Sequence, residues 1–518
     1  MAKQLMSSSI SAPAFYGLNT QESGVTLQEG FALQADNCVI DKYGRLGSRK
    51  GWQTLSTGKD GSANGNNGVN LTGVSNFKDV VGADTLLSFS VNKFYKGLTN
   101  LVTLTPSTGD TIAAGNWQTA TLNNHHYFFQ RGYLPLVYTN DGGADTFQSI
   151  VTHSGRAGTP PSAHTVLAAY GRLWAADTAT NKNTVSFTDV LDGTAWSGGT
   201  SGNINISSVL TQGMDEIVAL GAHNGFLVIF CKNNIIIYGD GNNFQAGMTT
   251  ASLTLVEVIE GVGCIARDSV QNTGEDILFL SNTGIRSLSR TIQEKSQPMR
   301  DISKNVRDDV IQAINAENIN LIKSTYSPTN AFYLITFPTS QQTFVFDTRT
   351  PLEDGSFRAT IWPSVSPKGF LSIDSTLYFA EANGIAEYKG YQDDGSKYEM
   401  AYYSRFFDLG MANVSKIVKK LSATTVGATG QTFALKIGYD YSPVYFSYTF
   451  TLDTGTVFEY GITEYGIGKY SGSVLIDEQK ASTQGAGDII QIGFTTDISG
   501  APMSLQKISL YAKQGKVL

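Results

Sequence analysis

The sequence predicts an all-β protein: a β-propeller-like domain of about six or seven blades followed by a C-terminal β-sandwich-like domain. Three observations carry that expectation. A short apolar hairpin recurs seven times between residues 84 and 388. Gly is frequent and Pro scarce, 54 against 13, while Phe and Tyr supply 27 and 24 residues. That mix suits many short strands joined by tight turns. After residue 396 the apolar runs lengthen and alternate, which marks a change of architecture.

The repeating unit is clearest at residues 224–240, where Phe226-Leu-Val-Ile-Phe230 and Ile235-Ile-Ile-Tyr238 flank Lys232-Asn-Asn234. Both arms are β-branched or aromatic and too short for a helix, so they read as a buried hairpin. Asn tolerates positive φ, and the turn is expected at 232–234 for that reason. The form returns at 84–95, 125–138, 170–187, 275–288, 330–346 and 374–388. The intervals are roughly 40–55 residues, the period of a propeller blade. A lone hairpin cannot bury both its faces, so such units stack or close into a ring.

Residues 1–69 do not follow the repeat and read as an irregular, strand-containing segment leading into a propeller over 70–395. Within it, Arg45, Arg49 and Lys50 put three cations in six positions, able to contact phosphate or an acidic partner, or to line a solvated loop. The stretch 56–70 has nothing to bury and reads as a flexible insertion. Ile302, Val306, Val310 and Ile314 fall on one helical face, with Asp301 as the expected cap. Residues 396–518 form the sandwich-like domain, in which Gly- and aromatic-rich 453–472 suggests a projecting hairpin. Lys416, Lys419 and Lys420 cluster there, with a solvated strand edge as the plainer reading.

Composition limits the function. A chain of 518 residues exceeds one compact core and implies two or three domains. A net charge of −7 announces no nucleic-acid-binding surface. The N-terminus lacks the apolar core of a signal peptide, and no stretch approaches a membrane span. Cys38, Cys231 and Cys264 are odd in number, lack CxxC spacing, and read as buried thiols of a reducing cytoplasm.

Signals of chemistry are weak. No phosphate-binding loop, GxSxG elbow or HExxH helix occurs. His125 and His126 are adjacent on a strand, so they point to opposite faces and cannot readily share a metal ion. Asp192-Gly-Thr-Ala-Trp196 resembles the Asp-box turn of sialidases, a structural element of the blade. Asp308-Asp309 and Asp393-Asp394 are adjacent carboxylates, poorly placed to flank a sugar. The sequence therefore predicts neither enzyme nor cofactor.

The order of motifs resembles the tail nozzle, or packaged-DNA stabilisation, proteins of short-tailed bacteriophages. The resemblance is carried by Ala12-Pro-Ala-Phe-Tyr-Gly-Leu-Asn-Thr20, Gly30-Phe-Ala-Leu-Gln-Ala-Asp-Asn37 and Ile40-Asp-Lys-Tyr-Gly-Arg-Leu-Gly-Ser-Arg-Lys-Gly51. The 226–238 and 276–288 hairpins, Gly261-Val-Gly-Cys-Ile-Ala266 and Lys507-Ile-Ser-Leu-Tyr-Ala-Lys513 extend it along the chain. It implies a non-enzymatic virion protein, made in the bacterial host cytoplasm, that forms a ring of usually six copies below the portal–adaptor complex. The ring would retain packaged double-stranded DNA, pass it without sequence preference, and dock fibres, spikes or a needle. No small-molecule substrate is implied. Arg45, Arg49 and Lys50 are then candidate adaptor or partner contacts, and Lys416, Lys419 and Lys420 candidate channel or DNA contacts once multiplied by symmetry. A mildly acidic chain suits a low-affinity passage, since a basic lining would hold DNA through counterion release. The alternatives are a carbohydrate-binding or carbohydrate-degrading tail propeller, and a free intracellular scaffold.

Overall fold

The computed structural model describes residues 5–56, 69–107, 109–113, 115–141, 144–210, 213–241, 244, 248–293, 301–363, 365–411, 413–452 and 474–517. The expected hairpin at 453–472 and most of the 56–70 insertion lie outside the described residues. No described helix is long and apolar enough to cross a membrane.

Six antiparallel four-strand units and one three-stranded sheet follow one another along the propeller. The inner strands of blades I to IV are Gly73–Lys78, Gln118–Leu122, Ala163–Ala169 and Ile217–His223. Those of blades V and VI are Lys323–Ser327 and Gly369–Ile373. Between blades IV and V lies the three-stranded sheet Gln271–Asn272, Ile277–Ser281 and Gly284–Ser287. The chain is a propeller of six full blades and one incomplete sheet.

The hairpin arms are largely apolar because each sheet is covered on both faces. Phe77, Phe94, Phe128 and Tyr138 fill the space between blades I and II, and Trp174, Phe187, Leu227 and Ile229 that between III and IV. Phe230 and Ile235 meet Phe279 of the three-stranded sheet. Val74 and Tyr95 of blade I pack with Ala380 and Ile385 of blade VI, which closes the ring. At that seam the inner strands nearly touch: a Cβ on Gly369 would lie 2.8 Å from Gly73 Cα.

The turn chemistry differs from expectation. Positive φ falls at Asn224 (49°) and Gly225 (78°), before the 226–240 hairpin, and not at 232–234. There Asp215 does the work instead, accepting from Asn233 N at 2.9 Å and from Asn234 Nδ2 at 2.8 Å. The helix also starts later than expected. Arg307–Ala316 is its α-helical part, and Asp301 pairs with Arg286 (3.3 Å) and Arg307 (3.7 Å) instead of capping it. Its apolar face is as expected: Ile302, Val306 and Val310 are buried and Ile314 packs beside them. Ile302 N donates to Ile285 O at 2.9 Å, and Ser303 Oγ accepts from Ile285 N at 2.9 Å. The segment thereby covers the sheet edge where a fourth strand would pair.

The N-terminal segment is woven into everything else. Trp52–Thr54 adds the fourth strand to blade VI, pairing Tyr388 with Trp52 and Ala386 with Thr54. Phe31–Asp36 meets the outer strand of blade V, Arg358–Pro363, through a parallel pair at Ile361 and Asp36. On its other side it pairs antiparallel with Tyr398–Phe407. Blade V therefore continues into a ten-stranded sheet ending with Ile490–Ile498, Thr432–Tyr439 and Phe446–Thr451. A seven-stranded sheet, built around Val414–Ala428 and Met503–Val517 with Leu5–Ser11 beside the latter, packs against it. Leu421, Leu505 and Leu510 face Leu435, Ile492 and Phe494 in one sandwich core.

Candidate functional site: a polar plug on the propeller axis

The inner strands of a propeller converge on its axis, so residues at their first positions meet whatever their separation in sequence. Here they enclose a cavity of about 190 Å³, lined by Gly73, Trp117, Gln118, Arg267, Asp268, Gln271, Lys323 and Gly369 among others. The cavity is polar because of one cluster in which Arg267 is buried and Asp268 and Lys323 are half-buried. Arg267 lies in the 3₁₀ turn Arg267–Ser269, directly after the Gly261–Ala266 stretch. Its Nε and Nη2 donate to the two oxygens of Asp268 at 2.9 and 2.7 Å. Nη1 reaches His164 O at 2.6 Å, and Nη2 reaches Asn116 Oδ1 at 2.9 Å. Lys323 Nζ donates to Asp268 Oδ2 at 2.5 Å and to Asn116 Oδ1 at 3.1 Å. Ser324 Oγ donates to Asp268 O at 2.8 Å. The guanidinium, carboxylate and amide together thus join blades II, III and V to the turn that leads into the three-stranded sheet.

The electrostatics follow from burial. Burial alone would raise the Asp268 carboxyl, but the charges of Arg267 and Lys323 outweigh it and hold the group far below the usual carboxylate range. Burial lowers Lys323, with Asp268 opposing and Arg267 reinforcing the shift. His164, beside the guanidinium, is pushed down to about 2 by burial and then by the charges of Arg267 and Arg131. His126 is driven down to about 3 by burial between blades I and II, where Ser75 Oγ and Thr121 Oγ1 lie 3.0 and 2.6 Å from its ring nitrogens.

These two histidines predict an acid-dependent loss of stability. Below the unfolded value of about 6.5 the unfolded chain takes up protons that the folded chain refuses. Each depressed histidine then lowers stability as pH falls, by about 1.4 kcal/mol per pH unit, until its folded value is reached. Wild type and His126→Gln are to be compared by urea unfolding between pH 6 and 4. Their free-energy difference should narrow or reverse by about that slope as the pH falls. Parallel curves would show that His126 ionises freely in the folded state.

The structure places the sequence candidates elsewhere. Arg49, expected at a partner-facing or solvated loop, is 1% exposed. It grips Asp393 with Nη1 (2.7 Å) and Nη2 (2.6 Å), Asn37 Oδ1 with Nε (2.8 Å), and stacks on Tyr398 at 3.9 Å. That corrects its role to an internal pin, since a guanidinium so enclosed has no face left for a partner. Only glycine fits next to it at residue 51, because a Cβ there would sit 1.9 Å from Gln392 O. Arg45 is also buried and lies 4.6 Å from the Tyr43 ring, whereas Lys50 is half-buried with its backbone N–H on Tyr388 Oη.

Lys416 is 0% exposed, and its Nζ donates to Asp488 O at 2.6 Å and to Met411 O. It is therefore removed from the candidate DNA contacts, because its ammonium is turned inward to carbonyls. Lys419 is exposed, and Lys420 is half-buried over the Tyr511 ring at 5.5 Å. Lys419 and Lys420 are neighbours on the strand, so their side chains diverge, and a bulge between residues 418 and 420 interrupts the regular alternation there.

Other expectations fare better. All three cysteines are buried. The 192–196 turn closes on itself, with Asp192 Oδ1 accepting from Thr194 N (2.8 Å) and Thr194 Oγ1 (2.7 Å). His126 points inward while His125 is half-buried beside His153. Sequence reasoning missed the axial plug. The adjacent Arg267–Asp268 pair after an apolar turn was a visible signal, but its partners Asn116 and Lys323 were not.

No protein-family model matches the chain, and no curated protein matches its sequence. Solved structures are similar at low identity. BamB from Moraxella catarrhalis is 11% identical over 74% of this chain and 97% of that one, with a TM-score of 0.36. YCF48 bound to D1 peptide is 10% identical over 62% and 92%, at 0.36. The computationally designed Ika8 protein is 10% identical over 65% and 99%, also at 0.36. Likeness at this level is one of fold type alone.

Proposed function

We propose that the chain is a structural virion protein, the subunit of an oligomeric nozzle at the end of a short phage tail. Six copies below the portal–adaptor complex would form a DNA-exit channel, retain the genome and dock fibres, spikes or a needle. One observation carries the reading: the N-terminal residues that resemble the family build the joint between propeller and sandwich. Phe15, Leu18, Ala32, Ala35, Cys38 and Leu46 lie in the core shared by both bodies, and Arg49 pins them to Asp393. A joint made of a continuous sheet transmits load between a docking body and a channel body, as a nozzle requires. Supporting the oligomeric part, Phe446–Thr451 ends the ten-stranded sheet among the described residues without charge, Pro or register shift. Such an edge invites pairing with another chain.

The axial cavity does not favour the glycan-cleaving alternative. Asp268 is its one described carboxylate and is locked between two cations, whereas glycoside hydrolysis needs a pair. The test is mass photometry and negative-stain imaging of the protein alone and mixed with its phage's portal–adaptor complex. A ring of six added below the adaptor is expected. Absence of any ring, together with cleavage or retention of host polysaccharide, would overturn the proposal.

A further inference from the structure

The axial cavity carries an unbalanced charge. Arg267 and Lys323 face one carboxylate, Asp268, and the neighbouring Arg131 is already matched by Asp177. His164, the remaining titratable group against the cluster, is held neutral. One positive charge is left over in a partly enclosed space, where it is expensive unless a counter-charge accompanies it.

Hydrogen-bonding capacity is unbalanced in the same direction. An ammonium has three N–H groups, and Lys323 spends two of them on Asp268 and Asn116. Gln118 uses its amide oxygen to accept from Val166 N at 2.7 Å, and its NH₂ has no protein acceptor among the described residues. Gln271 spends one amide N–H on Ser324 O at 3.1 Å and keeps the other. All three residues line the cavity. The oxygens of Asp268, by contrast, are already taken by Arg267 and Lys323. The walls therefore offer donors and a net positive charge, and few free acceptors.

We propose that this cavity binds a small oxyanion, tetrahedral like phosphate or planar like a carboxylate, held by Lys323 and Gln118 at the propeller axis. Its volume of about 190 Å³ admits such an ion with a few waters. Water alone could satisfy the donors but leaves the charge, which is what distinguishes an anion as the occupant. A bound anion would complete the plug and tighten the ring, since it would bridge the inner strands of blades II and V.

The test uses the full chain and thermal unfolding in phosphate, acetate or chloride at matched ionic strength. Phosphate or acetate should raise the midpoint saturably by about 2 °C over chloride. Whichever of the two acts at lower concentration identifies the tetrahedral or the planar class. Lys323→Met and Gln118→Leu should each abolish or weaken at least tenfold the anion-dependent shift. Gln118→Leu keeps every charged group, so it remains informative if Lys323→Met unfolds. Equal midpoints in all three salts for the wild type would overturn the proposal. So would an oxyanion shift that Gln118→Leu leaves unchanged, because the ion would then be bound elsewhere.

Discussion

Replacing Arg49 with Met should destabilise the protein by about 3–5 kcal/mol, the cost of stranding one partner of a buried ion pair. Asp393 would lose both short bonds to the guanidinium, and Asn37 Oδ1 would lose its donor at 2.8 Å. The cation would also vanish from the face of Tyr398, whose hydroxyl donates to Arg49 O. Met matches the length and apolar character of the stem, so packing loss is kept small. Arg49→Lys should recover only part of the stability, because an ammonium cannot span the two carboxylate oxygens in a fork. Urea unfolding of Arg49→Met, Asp393→Asn and the double variant gives the coupling directly. A coupling of several kcal/mol is expected, and a total loss below about 1 kcal/mol would reduce the pair to an ordinary surface bridge. The joint makes a second readout available. Arg49 connects the N-terminal segment to residue 393 at the passage from propeller to sandwich, so the variant should split one unfolding transition into two.

Asp268→Asn should cost a similar amount, about 3–5 kcal/mol, for the opposite reason. Asn keeps the shape but leaves Arg267 and Lys323 facing each other without a counter-charge at the centre of the ring. The damage should be global, since the cluster joins elements as distant as Asn116 and Lys323. Adding Lys323→Met to Asp268→Asn should restore much of the loss, because one buried cation can be served by Asn116 and the His164 carbonyl. Guanidinium unfolding of the two single variants and the double tests this. If the double variant is as unstable as the sum of the singles, the network is a set of independent bonds and not an electrostatic unit. At low salt Asp268→Asn should also bind phosphate more tightly than wild type, for it adds one to the net charge of the cavity.

Much of the architecture was legible from residue order. Phe226–Phe230 and Ile235–Tyr238 could be assigned to a hairpin because β-branched and aromatic side chains favour the extended backbone locally. The Ile302, Val306, Val310 and Ile314 stripe was equally local, as was the burial of the cysteines among apolar neighbours. The candidate cations fared worse, and the reason differs in each case. Lys416 reads as an exposed strand residue unless the bulge near residue 419 and the carbonyl of Asp488 are known. Arg49 reads as a basic loop residue unless Asp393 is brought to it from 344 positions away.

What the sequence by itself determined is therefore the menu of elements: short hairpins at blade spacing, one amphipathic helix, and a C-terminal set of longer strands. These depend on steric preference and periodicity over a few residues, which are written in consecutive positions. The tertiary structure alone decided that Trp52–Thr54 completes blade VI, and that Phe31–Asp36 fuses blade V to the sandwich. It also decided that Arg267, Asp268, Lys323 and Asn116 meet on the axis. Ring closure brings first strands together regardless of their separation, and a buried charge finds its partner only where desolvation makes an unpaired one too costly to keep.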